Sequence, residues 1–341
     1  YKRKKYQEAV ELYNTALKDF PDGRLRAKFH YNLAWALMGL NRDNDAIVEF
    51  RKVADTSDDE LVMGALMRIG QINKRQRMYD EAIRAFDEVL NRDNAGIWAD
   101  AAQYEVSDIL ALGDNVDAAI LGLQALLVNY PNSALTDNAL YKLGHLYQLK
   151  GDFELAAVQY KKIIDNLRSS PLLQNAYIQY GNCLYNAQKY SDVIDVLKKF
   201  CSDQANKDHF EPARYLMGWA YYRMHKEADA IKQFQEILKA DPDSELAPGI
   251  EFWFGEYYYS RGEYPQAEEK FKKVMSDYSD SDFADDAFYW YAWTLSAMDK
   301  ADAAVEEFRT LYTNFPDSVW AKESMLKAGE ILAESGKKEE S

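Results

Sequence analysis

Small and apolar residues recur along this chain with one long period. The blocks FPDSVWAKESMLKAG (315–329), YSDSDFADDAFYWYA (278–292), DPDSELAPGIEFWFG (241–255), YPNSALTDNALYKLG (130–144) and DNAGIWADAAQYEVS (93–107) align at multiples of 37 residues. The small residue that closes each block continues as Ala34, Gly70, Ser107, Gly144, Gly181, Gly218, Gly255, Ala292 and Gly329. The first gap is 36 and every later gap is 37. Twelve residues further on runs a second ladder: Ala9, Ala46, Ala82, Ala119, Ala156, Val193, Ala230, Ala267, Ala304. Four residues after that comes a large rung: Tyr13, Phe50, Phe86, Leu123, Tyr160, Leu197, Phe234, Phe271, Phe308.

Within one period, apolar residues fall at i, i+3, i+4 and i+7 in two stretches, the spacing of amphipathic helices. Leu140, Leu143, Gly144 and Tyr147 mark the first; Phe153, Ala156, Tyr160 and Ile163 mark the second. Lys150-Gly151-Asp152 between them supplies a left-handed residue and then an expected N-cap. Pro21, Pro131, Pro242 and Pro316 stop the second helix, which proline cannot continue. The Asp or Asn and the Ser after these prolines are expected to cap the next helix. The unit is therefore a helix hairpin that must stack on its neighbours to bury its apolar face. No strand signal occurs. The spacing predicts an all-α solenoid, one continuous array over 1–341 without linkers. It comprises an orphan second helix (1–21), eight hairpins (22–316) and a terminal capping helix (317–341), eighteen helices in all. The cap carries Glu323, Lys327, Glu330 and Glu334 on what is expected to be its outer side. The register begins inside a unit, so more protein is expected before Tyr1.

Small residues at two helix-contact positions, an aromatic or Leu rung and a Pro near the end of the second helix resemble the tetratricopeptide repeat family. The resemblance covers nearly the whole chain. It implies a right-handed superhelix of antiparallel hairpins, with part of the first helix lining a concave groove. The period of 37 and the recurring P-[DN]-S-x-x-A/T-x-x-A block are similar to tetratricopeptide proteins of the bacterial cell envelope. Among these are the outer-membrane assembly lipoproteins and the periplasmic coordinator of the Tol-Pal system. That implies a periplasmic or outer-membrane-associated setting, with a cytoplasmic one as the alternative. The sixth unit departs most: Val193 replaces Ala, no Pro follows Phe200, and Gln188 stands where the turn Gly is expected.

Composition narrows the function. Apolar residues make up 48% of 341, too many for a disordered chain. No apolar run reaches the roughly 18–20 residues that span a bilayer. The net charge of −15 argues against nucleic acid as a partner. It is unevenly spread: residues 1–30 hold eight Lys/Arg and four Asp/Glu, residues 241–341 hold 10 and 23. An acidic, aromatic surface favours cationic or amine-bearing partners. The run Lys2-Arg3-Lys4-Lys5 reads as the start of an exposed helix, or as a contact for anionic headgroups. No phosphate loop, nucleophile elbow or H-E-x-x-H pattern occurs, so neither an enzyme nor a cofactor or metal site is expected. The crowded Asp277, Asp280, Asp282, Asp285 and Asp286 read as helix-capping residues. Cys183 and Cys201 fall about eight helical residues apart across a hairpin, roughly 12 Å, too far for a disulfide.

A stripe of the first helix remains once the packing positions are removed. Three before, one after and four after the small position lie on one face. The residues there most suited to a ligand are Tyr31, Trp35, Tyr104, Tyr141, Tyr185, Tyr215, Trp219, Tyr222, Phe252, Tyr259, Tyr289 and Trp293. Rings with polar tips give large contact area with few rotors. They line a groove for an extended peptide or partner helix, or else pack between repeats as scaffold. Trp219 and Trp293 stand where other units carry Asp108, His145 and Asn182, and are expected to be exposed anchors. Residues that clamp a peptide main chain are few: Asn182, Asn186, Lys74 and Arg75. A non-enzymatic protein-interaction scaffold is the reading these residues favour, with a glycan-binding module as the alternative.

Overall fold

The computed structural model describes residues 2–56, 59–92, 97–334 and 336. Residues 93–96 of the fourth-unit block, and 335 and 337–341 of the expected cap, lie outside the described residues. Among the described residues there are eighteen α-helices and no strand. The second helices of the hairpins, with the orphan first, are α1 (Lys2–Asp19), α3 (Asp43–Ala54), α5 (Tyr79–Arg92), α7 (Val116–Asn129), α9 (Phe153–Asn166), α11 (Tyr190–Cys201), α13 (Glu227–Ala240), α15 (Tyr264–Asp277) and α17 (Ala301–Asn314). The first helices are α2 (Arg26–Gly39), α4 (Asp59–Arg75), α6 (Ala99–Leu112), α8 (Thr136–Leu149), α10 (Leu173–Asn186), α12 (Phe210–Arg223), α14 (Ala247–Ser260), α16 (Ala284–Ala297) and α18 (Ala321–Glu334). A short 3-10 helix, Gln204–His209, joins α11 to α12, where the sixth unit lacks its proline.

The three ladders form the contacts their spacing predicts. From Ala46 to Ala304 the second ladder is fully buried, and so is the large rung from Phe50 to Phe308. Each rung ring lies over a small residue of its partner helix. A Cβ built on Gly70 would come within 2.5 Å of the Phe86 ring, one on Gly144 within 2.6 Å of Tyr160, and one on Gly218 within 2.5 Å of Phe234. Glycine is there because the ring fills the space a side chain would need. Tyr31 uses the same device between repeats: a Cβ on Gly64 would lie 2.9 Å from its hydroxyl.

The turns show a fourth ladder. Asn41, Arg77, Asp114, Gly151, Gln188, His225, Gly262, Asp299 and Gly336 all have positive φ, between 58° and 83°. They follow the same 36- and 37-residue spacing. Left-handed backbone reverses the chain in every hairpin, with or without glycine. Gln188 therefore keeps the turn rather than breaking it.

Capping differs from expectation. Asp152 occupies the N-cap position of α9, but its side chain makes no cap bond. The serines after the prolines act one step earlier. Ser133 Oγ accepts from Leu135 N at 3.0 Å, and Ser318 Oγ accepts from Trp320 N at 3.1 Å. Each closes a small turn ahead of the helix. Ser133 also donates to Asp100 at 2.5 Å, and Ser170 to Asp137 at 2.6 Å, tying successive repeats. Ser281 Oγ is buried with no such partner, because Pro248 occupies the place of Asp100 and Asp137. The helices before Pro21, Pro131, Pro242 and Pro316 end two residues ahead of each proline.

The chain divides into two compact units, 1–213 and 214–341. In the first, apolar cores run from Val10 to Ile109 and from Ala119 to Cys183. In the second, one cluster centres on Phe271 and Val274, another on Phe308 and Leu311. Helices pack chiefly on their sequence neighbours, with direct contacts of α2 to α4 and α14 to α16.

Candidate functional site

The stripe of the first helices is built by a contact rule between successive repeats. The residue two before the small position meets the residues one and four after it in the preceding repeat. Four pairs show the first half of the rule. Arg68 lies over the Trp35 ring at 4.4 Å, and Lys142 pairs with Asp108. Trp253 meets Trp219 with centroids 6.0 Å apart, and Lys327 lies over Trp293 at 5.7 Å. Four more show the second half. Lys74 pairs with Glu105 at 2.5 Å, and Gln148 donates to Gln179 at 3.2 Å. Tyr222 meets Trp253 at 5.3 Å, and Tyr259 meets Trp290 at 5.3 Å.

In residues 1–213 the rule is written mostly in charge. Lys74 bridges Glu105 and Asp108, the latter at 2.6 Å, and Lys142 holds the other side of Asp108. Burial alone would raise the Asp108 carboxyl; the bonds from Lys142 and Lys74 outweigh it and hold it below its ordinary value. Burial would likewise lower Lys74, but Asp108 and Glu105 raise it. Tyr104, half-buried beside this network, is raised by burial and then by the charge of Asp108. Tyr31 packs edge-on to Phe50 at 5.5 Å, and Tyr141 to Tyr160 at 5.2 Å. Tyr185 meets Tyr190 at 5.2 Å. Trp35 keeps 38% of its surface exposed, beside a groove of about 450 Å³ lined by Tyr6, Asn32 and Met38. Three of the four expected main-chain clamps are engaged elsewhere: Lys74 in the network, Arg75 with Asp43 at 2.6 Å, Asn186 with the Asn182 carbonyl at 2.9 Å.

In residues 214–341 the rule is written in rings. Trp219 contacts Tyr215, Tyr222, Phe234 and Trp253, and is half-buried. Tyr222 keeps 39% of its surface exposed. Tyr289 stacks on Trp320 with centroids 4.3 Å apart and donates to Glu323 at 2.9 Å. Trp293 packs on Phe308 at 5.9 Å. Trp219 and Trp293 are thus wedged between repeats, not freely exposed. Phe252 at 8% and Tyr289 at 6% exposure are buried, so their rings serve the scaffold. Glu323 and Lys327 turn towards α16 rather than outward from the cap. Carboxylates punctuate this surface. Glu256 is raised by burial and then by Asp286, and Asp286 accepts the Trp320 indole N–H.

The residues missed from sequence are those two before the small position: Arg68, Glu105, Lys142, Trp253, Trp290 and Lys327. Their types change from repeat to repeat, so no ladder appears. Pairing each residue with the one 34 or 31 further on, or 33 across the shorter first interval, reveals them, Asp with Lys and Trp with Trp.

Cys183 is buried, and burial pushes its thiol up to about 12. Among the described residues no group of three or more His, Cys, Asp or Glu is placed to hold a metal ion.

Comparisons agree with this architecture. One model of the tetratricopeptide repeat matches residues 1–60, 67–134 and 215–282; two others match 137–166 and 286–318. No curated protein matches the chain by sequence. Among solved structures, the C-terminal part of a TPR repeat-containing protein from Cytophaga hutchinsonii is 16% identical. It matches 72% of this chain and 94% of its own, with a TM-score of 0.56. The pilF protein of Pseudomonas aeruginosa is 18% identical over 67% of this chain and 97% of its own, TM-score 0.48. PilW, a type IV pilus biogenesis factor, is 14% identical over 67% and 99%, TM-score 0.46.

Proposed function

We propose that this chain, which belongs to the tetratricopeptide repeat family, is a non-enzymatic scaffold that holds an extended peptide or partner helix on its first-helix stripe. The observation that carries this is the ring surface of residues 214–341. Tyr222 stands exposed while Trp219 and Trp253 fix it from two sides. A ring already immobilised loses little entropy on binding, which suits an anchor. Tyr215, Tyr259 and Trp293 extend the same stripe. Glu256, Asp286 and Glu323 give it negative charge, so the partner segment is basic as well as apolar. In residues 1–213, Trp35 is the corresponding anchor, with Tyr31, Tyr104, Tyr141 and Tyr185 as flanking rings; the ion-pair network from Lys74 to Lys142 leaves less apolar surface between them.

The unbroken register across residue 213, which lies inside α12, supports one continuous array. The 37-residue period and the Pro-Asp/Asn-Ser blocks support a cell-envelope setting, which fractionation of the source cells tests. No helix among the described residues is long and apolar enough to cross a membrane. Selection of peptides from a displayed library tests the scaffold reading: basic, apolar sequences should be enriched. Enrichment of acidic sequences, or binding of an amine-bearing oligosaccharide in place of any peptide, would overturn it.

A further inference from the structure

On α9, α10 and α11 a second recess opens, away from the stripe. Its volume is about 410 Å³, and Lys161, Ile164, Arg168, Leu173, Tyr177, Tyr180, Val196 and Lys199 form its walls with Asp165. Two features shape it. At the position just before the small residue, Leu33, Ile69, Leu143, Met217 and Phe254 are buried, whereas Tyr180, like Val106, is half-buried. Four before it, Tyr177 is half-buried, as Gln103 and Phe288 are, and its ring packs against Phe200 at 4.9 Å. The tyrosines face the recess instead of closing it. The second feature is charge. In a chain of net charge −15, three cations and one carboxylate line this recess. Lys161 is taken by Asp165 at 2.8 Å. Arg168 and Lys199 have no acidic partner among the described residues.

We propose that this recess binds a small amphipathic anion, a carboxylate on an aryl or alkyl body. Arg168 and Lys199 would hold the carboxylate, since a guanidinium and an ammonium at the rim match it in charge and hydrogen bonding. Ile164, Leu173, Val196 and the two tyrosine faces would cover the body. The volume lies in the range of small-molecule sites, and a few polar groups over apolar walls are what such sites use.

The test is titration of the full chain with 4-phenylbutyrate, its uncharged amide and acetate, followed by NMR. Phenylbutyrate should shift the resonances of Tyr177 and Tyr180. The amide should bind about tenfold more weakly or worse, and acetate should compete poorly, because charge and body both contribute. The double variant Arg168→Gln, Lys199→Gln should lose about tenfold or more in affinity, with an unchanged melting temperature since both residues are exposed. Equal binding of acid and amide, full affinity in the double variant, acetate competing as well as phenylbutyrate, or no binding at all would each overturn the proposal.

Discussion

Trp253 stands edge-on to Trp219 of the preceding repeat, with ring centroids 6.0 Å apart and planes at 73°. The same 34-residue interval separates Lys142 from Asp108, and there the contact is an ion pair. One register position therefore carries ring packing in one unit and charge pairing in the other. Trp219 also leans on Phe234, so it supports the hairpin as well as the stripe.

Trp219→Ala should consequently destabilise the protein by about 2–4 kcal/mol, the scale for removing a large packed ring. Denaturant unfolding checks this. A loss below about 0.5 kcal/mol, typical of an exposed residue, would show that the ring contacts are not formed in solution.

Gly218 and Gly329 occupy the same ladder but different surroundings. A Cβ on Gly218 meets Phe234, while one on Gly329 meets nothing within 4 Å. Gly218→Leu should cost about 1–3 kcal/mol or more through overpacking. Gly329→Ala should be neutral or stabilise by about 0.4–1 kcal/mol, through the unfolded chain. Hydrogen exchange should locate the Gly218→Leu effect near residues 175–265, because repeats couple to their neighbours. Uniform loosening would contradict that coupling.

The left-handed turns give a third comparison. Gln188 holds φ at 60° without being glycine, and Gly151 holds 79°. Gln188→Gly should stabilise, or at least not weaken, the sixth hairpin, while Gly151→Ala should cost about 1 kcal/mol. Thermal melts should show a lowered midpoint for Gly151→Ala and no lowering for Gln188→Gly.

The small, alanine and large-rung ladders were legible in sequence because packing restricts residue type at those places. Phe234 has to be large and Gly218 has to be small, so the pattern survives along the chain. The turn ladder was half legible. Gly151 announces a left-handed residue, but Arg77 and Gln188 adopt the same backbone under pressure from the helices on either side. The stripe contacts were not legible from single positions. Lys142 and Trp253 do the same geometric job with unrelated chemistry, and only the partner across the repeat explains each choice. Expecting Trp219 and Trp293 to stand free failed for that reason: Trp253 and Lys327 cover them. Ser133 and Asp152 misled in a smaller way, since both residue types serve turns as readily as caps.

Charge on the stripe gives two opposite pH responses. Glu256 has a raised folded value, so the folded chain holds its proton more tightly than the unfolded one, and ionisation weakens the fold as pH rises through that value. Glu256→Gln should therefore raise the melting temperature at pH 7, with the gain shrinking as pH falls to about 4.5, where unfolded Glu also protonates. Asp108 is the reverse. Its lowered value contributes stability above the unfolded value of 3.8, lost as pH falls through the folded one. Asp108→Asn should cost about 1–3 kcal/mol at pH 7. A Glu256→Gln variant less stable than the parent at neutral pH would show that its carboxylate is paired.

The proposed role of the stripe is to hold a basic peptide through its exposed rings. The decisive measurement is fluorescence polarisation of a library-selected peptide with the parent chain, Tyr222→Ala, Trp35→Ala and, as a control, Val158→Ser on the exposed surface of second helix α9. Tyr222→Ala should lose at least about tenfold in affinity, on the hot-spot scale. Trp35→Ala should lose less and Val158→Ser nothing, with parent-like melting temperatures throughout. Undiminished binding by Tyr222→Ala and Trp35→Ala, together with a loss in Val158→Ser, would contradict this role and move the interaction to the second helices.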